Sequence, residues 1–284
     1  MRPDIPDEYG IKALQNVILN IAYDLDSFCE THGIRYCLMG GSALGAKRHG
    51  GFIPWDDDLD VFMTPDNYEK FRTAFHKEGN KDRYYLQELG ASGGKVITAK
   101  IRMNNTYFEE PILQNWKVHQ GIYIDIFILH VCPDRRIKRC WQYMWAKYLI
   151  VKGLANKDYH RRNMWINAMI RCFGIFPKRF LLDFGLSQVY RFRNSFTGYY
   201  CNYLGKALMR SGTYKRSYFE HVKKIPFETI NLYVAANLES FLADRFGDYM
   251  KIPSENRIKY EQHMTKWSLS HPPYTDLSDE KYLF

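Results

Sequence analysis

The chain contains no Cys-x-x-Cys pair, and its six cysteines, Cys29, Cys37, Cys132, Cys140, Cys172 and Cys201, are scattered. Scattered thiols of this kind read as reduced and mostly buried, which points to a cytosolic protein rather than a disulfide-stapled secreted one. No apolar run reaches about 18 residues, so no simple helical membrane span is expected. The opening stretch, MRPDIPDEYG, is polar and acidic, which argues against a signal peptide. Internal repeats and low-complexity tracts are missing too. His49, His119, His130 and His263 show no metal-ligand spacing and read as surface or internally satisfied side chains.

What is present is an uneven charge. The 284 residues are enough for one large or two small domains, and the net charge is +9. Residues 135–193 hold 14 Lys and Arg against two acids, Asp158 and Asp183, a net of +12 that leaves −3 for the remainder. A partner attracted to the basic stretch is therefore not shared by the rest of the chain.

Apolar spacing over residues 8–32 predicts an amphipathic helix stopped near Gly33. Residues 36–39 form a short strand running into Gly40-Gly41-Ser42, with Ser42 placed to cap a helix to about His49. Strand 59–63, a helix from Pro65 to about His76, and extended segments near 84–89, 95–103 and 106–109 follow, with a hairpin turn at Asn104-Asn105. Residues 122–131 make the strongest strand, 134–195 are largely helical, 225–235 alternate as a strand, and 237–246 form a helix stopped by Gly247. The expected class is α/β or α+β. A mixed-sheet catalytic core (1–133) would carry flanking helices, with a basic, mostly helical half (134–284) packed on it.

Residues 40–60, GGSALGAKRHGGFIPWDDDLD, carry the chemistry. Asp58 and Asp60, two apart on a strand, project to one face while Leu59 and Val61 turn to the core. Carboxylates this close repel unless a cation lies between them, and an all-oxygen set favours Mg²⁺ or Mn²⁺ over Zn²⁺. Asp56 and Asp57 read as solvated bystanders. Gly40 and Gly41, the Ser42 hydroxyl and the helix start together form an anion site that Lys47 and Arg48 extend. Four isoleucines occupy one face of strand 122–128, with Asp125 on the other, between Tyr123 and Phe127. An Asp there needs a pairing partner, and it serves as a third metal ligand or as the base for an acceptor hydroxyl. Lys100 and Arg102, alternating on their strand, are candidates for neutralising phosphate oxygens.

The string from Gly41 to Asp60 resembles the LicD family of phosphocholine transferases, which includes fukutin-type ribitol-phosphate transferases and belongs to the nucleotidyltransferase superfamily. Similar matches are Lys100-Ile-Arg-x-Asn-Asn-Thr106, Gly121-x-Tyr-Ile-Asp-Ile-Phe127, and Phe246-Gly-Asp-Tyr-Met-x-x-Pro253 with Arg257 and His263. Pro253-Ser254 stands where the family often has two prolines, and Asp-Ile-Phe is followed by Ile-Leu-His rather than Pro-Leu-Asp. The resemblance implies a nucleotidyltransferase-like fold and metal-dependent transfer of a phospho-alcohol, phosphocholine first among them. The donor would be CDP-activated, as in CDP-choline, and the acceptor a hydroxyl of a cell-surface glycan such as lipopolysaccharide or teichoic acid, or of its lipid-linked precursor. By motif match, Asp58 and Asp60 are metal ligands, Asp125 the third carboxylate and Gly41-Ser42 the phosphate turn.

The carboxylates by themselves serve ordinary nucleotidyl transfer to a small molecule or RNA equally well. The interleaved aromatic and basic residues of 135–193 admit nucleic acid, which amphipathic spacing argues against. Trp141, Met144, Trp145, Tyr148 and Leu149 share one helix side, with Arg135, Arg136, Arg139 and Lys147 largely opposite. That arrangement suits either inward packing or peripheral contact with the inner, anionic face of the cell membrane. A non-catalytic glycan-binding relative is a third class, disfavoured by the intact carboxylate set.

Overall fold

The computed structural model describes residues 7–156, 178–254, 258 and 266–283. Asp158, Cys172, Arg257 and His263 lie outside the described residues. In chain order the elements are α1 (Lys12–Thr31), β1 (Cys37–Leu38), α2 (Gly40–Arg48), β2 (Asp60–Met63), α3 (Pro65–Glu78), β3 (Tyr84–Leu89), β4 (Thr98–Met103), β5 (Tyr107–Phe108), β6 (Tyr123–Ile128) and β7 (His130–Cys132). Then come α4 (Arg136–Asn156), α5 (Lys178–Tyr190), β8 (Tyr199–Cys201), β9 (Thr213–Lys215), β10 (Val222–Phe227), β11 (Ile230–Ala235), α6 (Leu238–Phe246) and β12 (Trp267–Ser268). The fold is α+β, as the sequence predicts.

The central sheet runs in the order β1-β2-β6-β4-β3. Only the β2–β6 pair is parallel. A parallel pair needs a long crossover between its strands, and here α3, β3 and β4 lie between β2 and β6 in sequence. Ile122, Ile124, Ile126 and Ile128 are all buried, with α1 packed against β6 and α3 against β2. The start of α1 is capped by Asp7, whose carboxylate accepts from the amides of Ile11 (2.9 Å) and Lys12 (3.2 Å). Thr64 caps α3 by accepting from the Asn67 amide, with Pro65 at the first helical position.

The later part of the chain joins the same core. Phe62 of β2 packs against Tyr214 and Phe219, each with ring centroids 5.9 Å away, and Phe219 meets Phe241 of α6 at 5.2 Å. β11 lies against β1, and α6 against α2. The tip of the β10–β11 hairpin clamps the loop before the acidic run. There the Glu228 amide donates to Gly50 O (2.9 Å), and the Glu228 carboxylate accepts from the Phe52 amide (3.0 Å).

Several expectations change in the folded chain. Residues 225–235 are two antiparallel strands, since Glu228 takes a positive φ of 53° and turns the chain back. The strand expected over 122–131 divides into β6 and β7, which belong to different sheets. Asn105 does turn the chain, with φ 58°. No hairpin results, because β5 pairs with β12 and not with β4. The aromatic stripe of α4 also divides. Ala146 and Leu149 are buried, whereas Trp141 and Met144 are exposed. The cause is Gln142, which turns inward and donates to the carbonyls of Val131 (3.0 Å) and Val189 (2.8 Å).

His130 sits in this core with neither ring nitrogen hydrogen-bonded among the described residues, and its ring lies edge-on to Tyr190 at 4.6 Å. Burial depresses its pKa from 6.5 to about 3. Below pH 6.5 the unfolded chain takes up the proton that the folded chain refuses, so stability is full above 6.5 and falls as pH drops towards 3. Urea unfolding across that range is expected to show this loss, and His130→Phe should flatten it by up to about 1.4 kcal/mol per pH unit.

Candidate active site

The strand register assembles the site. Asp60 of β2 is the register partner of Asp125 on parallel β6, and Asp125 is in turn the partner of Lys100 on antiparallel β4. The three side chains therefore form one row on the sheet face opposite the buried isoleucines. Asp58 precedes the row in the loop leading into β2. Asp60 and Asp125, which sequence reasoning places 65 residues apart, are neighbours in the fold.

Burial, reinforced by the charges of Asp58, Asp125 and Asp56, pushes the Asp60 carboxyl well above the usual carboxylate range. Burial also raises Asp125, opposed chiefly by Lys100, whose Nζ lies 3.1 Å from Asp125 Oδ1. A further group forms within the acidic loop, where carboxylate oxygens of Asp56, Asp57 and Asp58 all lie within 4.8 Å of one another. Crowded, partly buried carboxylates suit a hard divalent cation with oxygen ligands. The donor set fits Mg²⁺ or Mn²⁺. Asp56 and Asp57 belong to this crowd rather than to open solvent, and Asp57 is buried.

The glycine turn is built differently from the expectation. α2 begins at Gly40, whose φ of +50° suits glycine, and its N-cap is Met39. Ser42 lies inside the helix, and its Oγ accepts from the Asp60 amide at 2.8 Å. It thus locks the start of β2 to α2 instead of capping the helix. Gly41 leaves room for Asp56, because a Cβ there would come within 3.1 Å of Asp56 Oδ2. Gly45 permits an equally close approach, since a Cβ would fall 2.5 Å from the carbonyl oxygen of Gly51.

Of the four basic candidates, the structure brings two towards the acids. Arg48 lines the same cavity as Asp58 and Asp60, while its Nη1 donates to the carbonyls of Tyr249 (3.0 Å) and Lys251 (3.3 Å). Lys100 sits beside Asp125, 3.6 Å from Glu110, with Nζ 3.5 Å from the centroid of the Tyr123 ring. Lys47 instead pairs with Glu239 of α6 at 2.5 Å on the surface. Arg102 is 0% exposed. It donates to Gln87 Oε1 (2.8 Å) and Gly121 O (2.9 Å) and pairs with Glu110. Those contacts enclose its guanidinium, so in this conformation Arg102 braces the sheet and reaches no phosphate. Alternation along β4 does place Lys100 and Arg102 on one face, but it does not indicate which of them the rest of the chain covers.

A cavity of about 620 Å³ opens over the acids, walled by Gly41, Arg48, Trp55, Asp58, Asp60 and Lys251 among others. Its size lies within the range of small-molecule sites. Gln15 supports it from below, donating from Nε2 to the carbonyls of Ile53 (3.2 Å) and Asp56 (2.9 Å). Sequence reasoning missed Gln15, although a polar residue between Leu14 and Ile18 on the buried face of α1 was a usable signal. Glu110, which gathers Lys100 and Arg102, gave none.

Residues 33–185, more than half of the chain, match the family model described as LicD/FKTN/FKRP, nucleotidyltransferase domain. The chain belongs to the LicD family. It is 26% identical over 269 residues to the lipopolysaccharide cholinephosphotransferase LicD of Haemophilus influenzae, an alignment covering 88% of this chain and 94% of that relative. A shorter stretch of 67 residues is 62% identical to the ribitol 5-phosphate transferase FKRP of mouse and of human, covering 22% of this chain and 14% of those proteins. The LicD match thus extends beyond the domain into the segment that closes the cavity.

Replacing Arg102 with methionine removes the guanidinium from Glu110, Gln87 and the Gly121 carbonyl. The expected outcome is a loss of about 3 kcal/mol in urea unfolding. A phosphate-binding role confined to the surface would instead leave stability unchanged.

Proposed function

We propose that this LicD-family phosphotransferase moves a phospho-alcohol, phosphocholine first among the candidates, from a CDP-activated donor to a hydroxyl of a cell-surface glycan or its lipid-linked precursor. The observation that carries the reading is the row of Asp60 and Asp125 on adjacent parallel strands, with Asp58 beside it. The naming of the relatives as cholinephosphotransferase and ribitol 5-phosphate transferase supports the phospho-alcohol class.

Asp58, Asp60 and Asp125 are the residues that would hold Mg²⁺ or Mn²⁺, which when bound supplies positive charge to the phosphate oxygens. The chain's own groups do the rest. The α2 N-terminus and Arg48 face the cavity and favour an anionic donor there. Asp125, oriented by Lys100, is the base available for the acceptor hydroxyl proton if it is not wholly taken up as a ligand. The hydroxyl oxygen attacks the phosphorus that bears the alcohol, the bond to CMP breaks, and CMP leaves with both electrons. Positioning and charge neutralisation carry most of such a reaction.

Incubation with CDP-choline and glycan is expected to release CMP, to stop with chelator and to resume with Mg²⁺ or Mn²⁺. Asp58→Asn should lower that rate by at least about 10²-fold without altering the circular dichroism spectrum. Release of pyrophosphate from a nucleoside triphosphate, with no CMP from CDP-alcohols, would establish ordinary nucleotidyl transfer instead.

Peripheral contact with an anionic membrane fits the same reading, because a lipid-linked acceptor presents its hydroxyl near a bilayer. No helix among the described residues is long and apolar enough to cross a membrane. However, α4 exposes Ile137, Trp141 and Met144 at i, i+4 and i+7, α5 exposes Phe180 and Phe184, and Arg135, Arg136 and Lys138 flank them. Sedimentation with anionic vesicles should pellet the protein at low salt and release it at high salt. Failure to pellet at low salt removes this part of the reading.

A further inference from the structure

We infer that the protein has a second ligand site, for a phosphate monoester, at the end of β2 remote from the acid cluster. Asp60 opens β2 and Thr64 follows its last residue, so the two ends are about 13 Å apart along the strand. At the Thr64 end lies a separate cavity of about 470 Å³, large enough for a phosphate with a small organic group attached.

Its charged wall is predominantly basic. Arg35, Lys70, Arg193 and Arg216 line it, against Asp66 and Glu220. Asp66 is already engaged by Arg193, which also holds Glu69. Arg35, Lys70 and Arg216 make no ion pair with any described carboxylate. Arg216 is held flat, its guanidinium carbon 4.6 Å from the Phe196 ring centroid and 5.2 Å from that of Tyr200. Its Nη1 is buried and finds no hydrogen-bond acceptor among the described residues. A buried guanidinium N–H without an acceptor is unfavourable, so the protein itself does not fully engage this arginine.

The backbone reinforces the charge. α3 starts at this cavity, with Thr64, Pro65 and Asn67 in its wall, and the helix start favours an anion. Asn67 also accepts from the Arg35 amide at 2.8 Å, which fixes Arg35 beside the helix start. A phosphate monoester has three equivalent oxygens and up to two negative charges, matching several separate cationic donors, and its oxygens suit the planar guanidinium. Tyr200 and Phe219 supply an apolar wall for the esterified group. The acid-lined cavity cannot play this part, because without a cation its carboxylates repel phosphate. The inference is independent of which transfer reaction the acids perform.

Isothermal titration of inorganic phosphate into the full chain, with chelator present so that the acid cluster holds no metal, tests the site. One saturable site is expected. Arg216→Gln should weaken it about tenfold or more and Lys70→Gln about threefold, with Asp58→Asn without effect. Lys70 is solvent-exposed, so its variant remains informative even if Arg216→Gln fails to fold. No saturable heat up to about 10 mM phosphate, or binding unchanged in both basic variants, overturns the proposal. Phosphatidate vesicles added to the phosphate-loaded chain separate two sources of the same chemistry. Displacement of phosphate assigns a lipid headgroup, and retention assigns a soluble phosphate ester.

Discussion

Asp60 and Asp125 are held side by side on the parallel strand pair of the central sheet, two buried carboxyls that the surrounding groups must accommodate. Lys100 flanks Asp125 on the next strand and divides its charge between Asp125 and Glu110. Glu110 in turn anchors Arg102, and the Tyr123 ring lies against both cations, 3.5 Å from Lys100 Nζ and 4.7 Å from the Arg102 guanidinium carbon. One side of the acid row is thus neutralised by built-in cations. The other side, towards Asp58 and Asp56, borders the cavity. Such an asymmetry concentrates negative potential on the cavity side of the row.

The site is kept in shape by distant pieces of chain. Ser42 ties the Asp60 amide to α2, Gln15 ties the acidic loop to α1, and Glu228 ties the preceding glycines to a hairpin tip. Arg48 then holds the carbonyls of Tyr249 and Lys251 across the cavity mouth. These are single hydrogen bonds, each modest in net stability, but they act between segments as much as 203 residues apart. The segments after residue 210 are therefore continuous in packing with the strands that carry the acids. Phe62, Tyr214, Phe219 and Phe241 form one aromatic cluster drawn from both.

Much of this was readable in advance wherever one periodicity governed. The isoleucines of β6 alternate, so the opposite orientation of Asp125 followed directly. α1 carried apolar spacing and a glycine stop, and α3 a proline start, signals that local physics respects. Reading failed where two elements had to be told apart by a partner not adjacent in sequence. Residues 225–235 look like one alternating strand, because the turn residues Glu228 and Thr229 are neither Gly nor Pro, and Pro226 sits within a strand rather than in the turn. Asn104-Asn105 carries turn chemistry, yet the strand after it pairs with residues 267–268. Ser42 has the residue type of a cap and is used instead to bind a neighbouring strand.

The sequence by itself pointed to the type of chemistry: paired carboxylates at a strand start, a glycine turn before a helix, and a family-specific string joining them. These are local features, encoded in residue type and spacing. Tertiary structure decided which charges are available. Lys100 and Arg102 share a strand face and a residue class, yet one stands beside Asp125 and the other is sealed in the sheet. Lys47 and Arg48 are consecutive, yet one pairs at the surface and the other faces the cavity. Charge availability depends on burial and on partners far along the chain, and neither is a property of a short stretch of sequence.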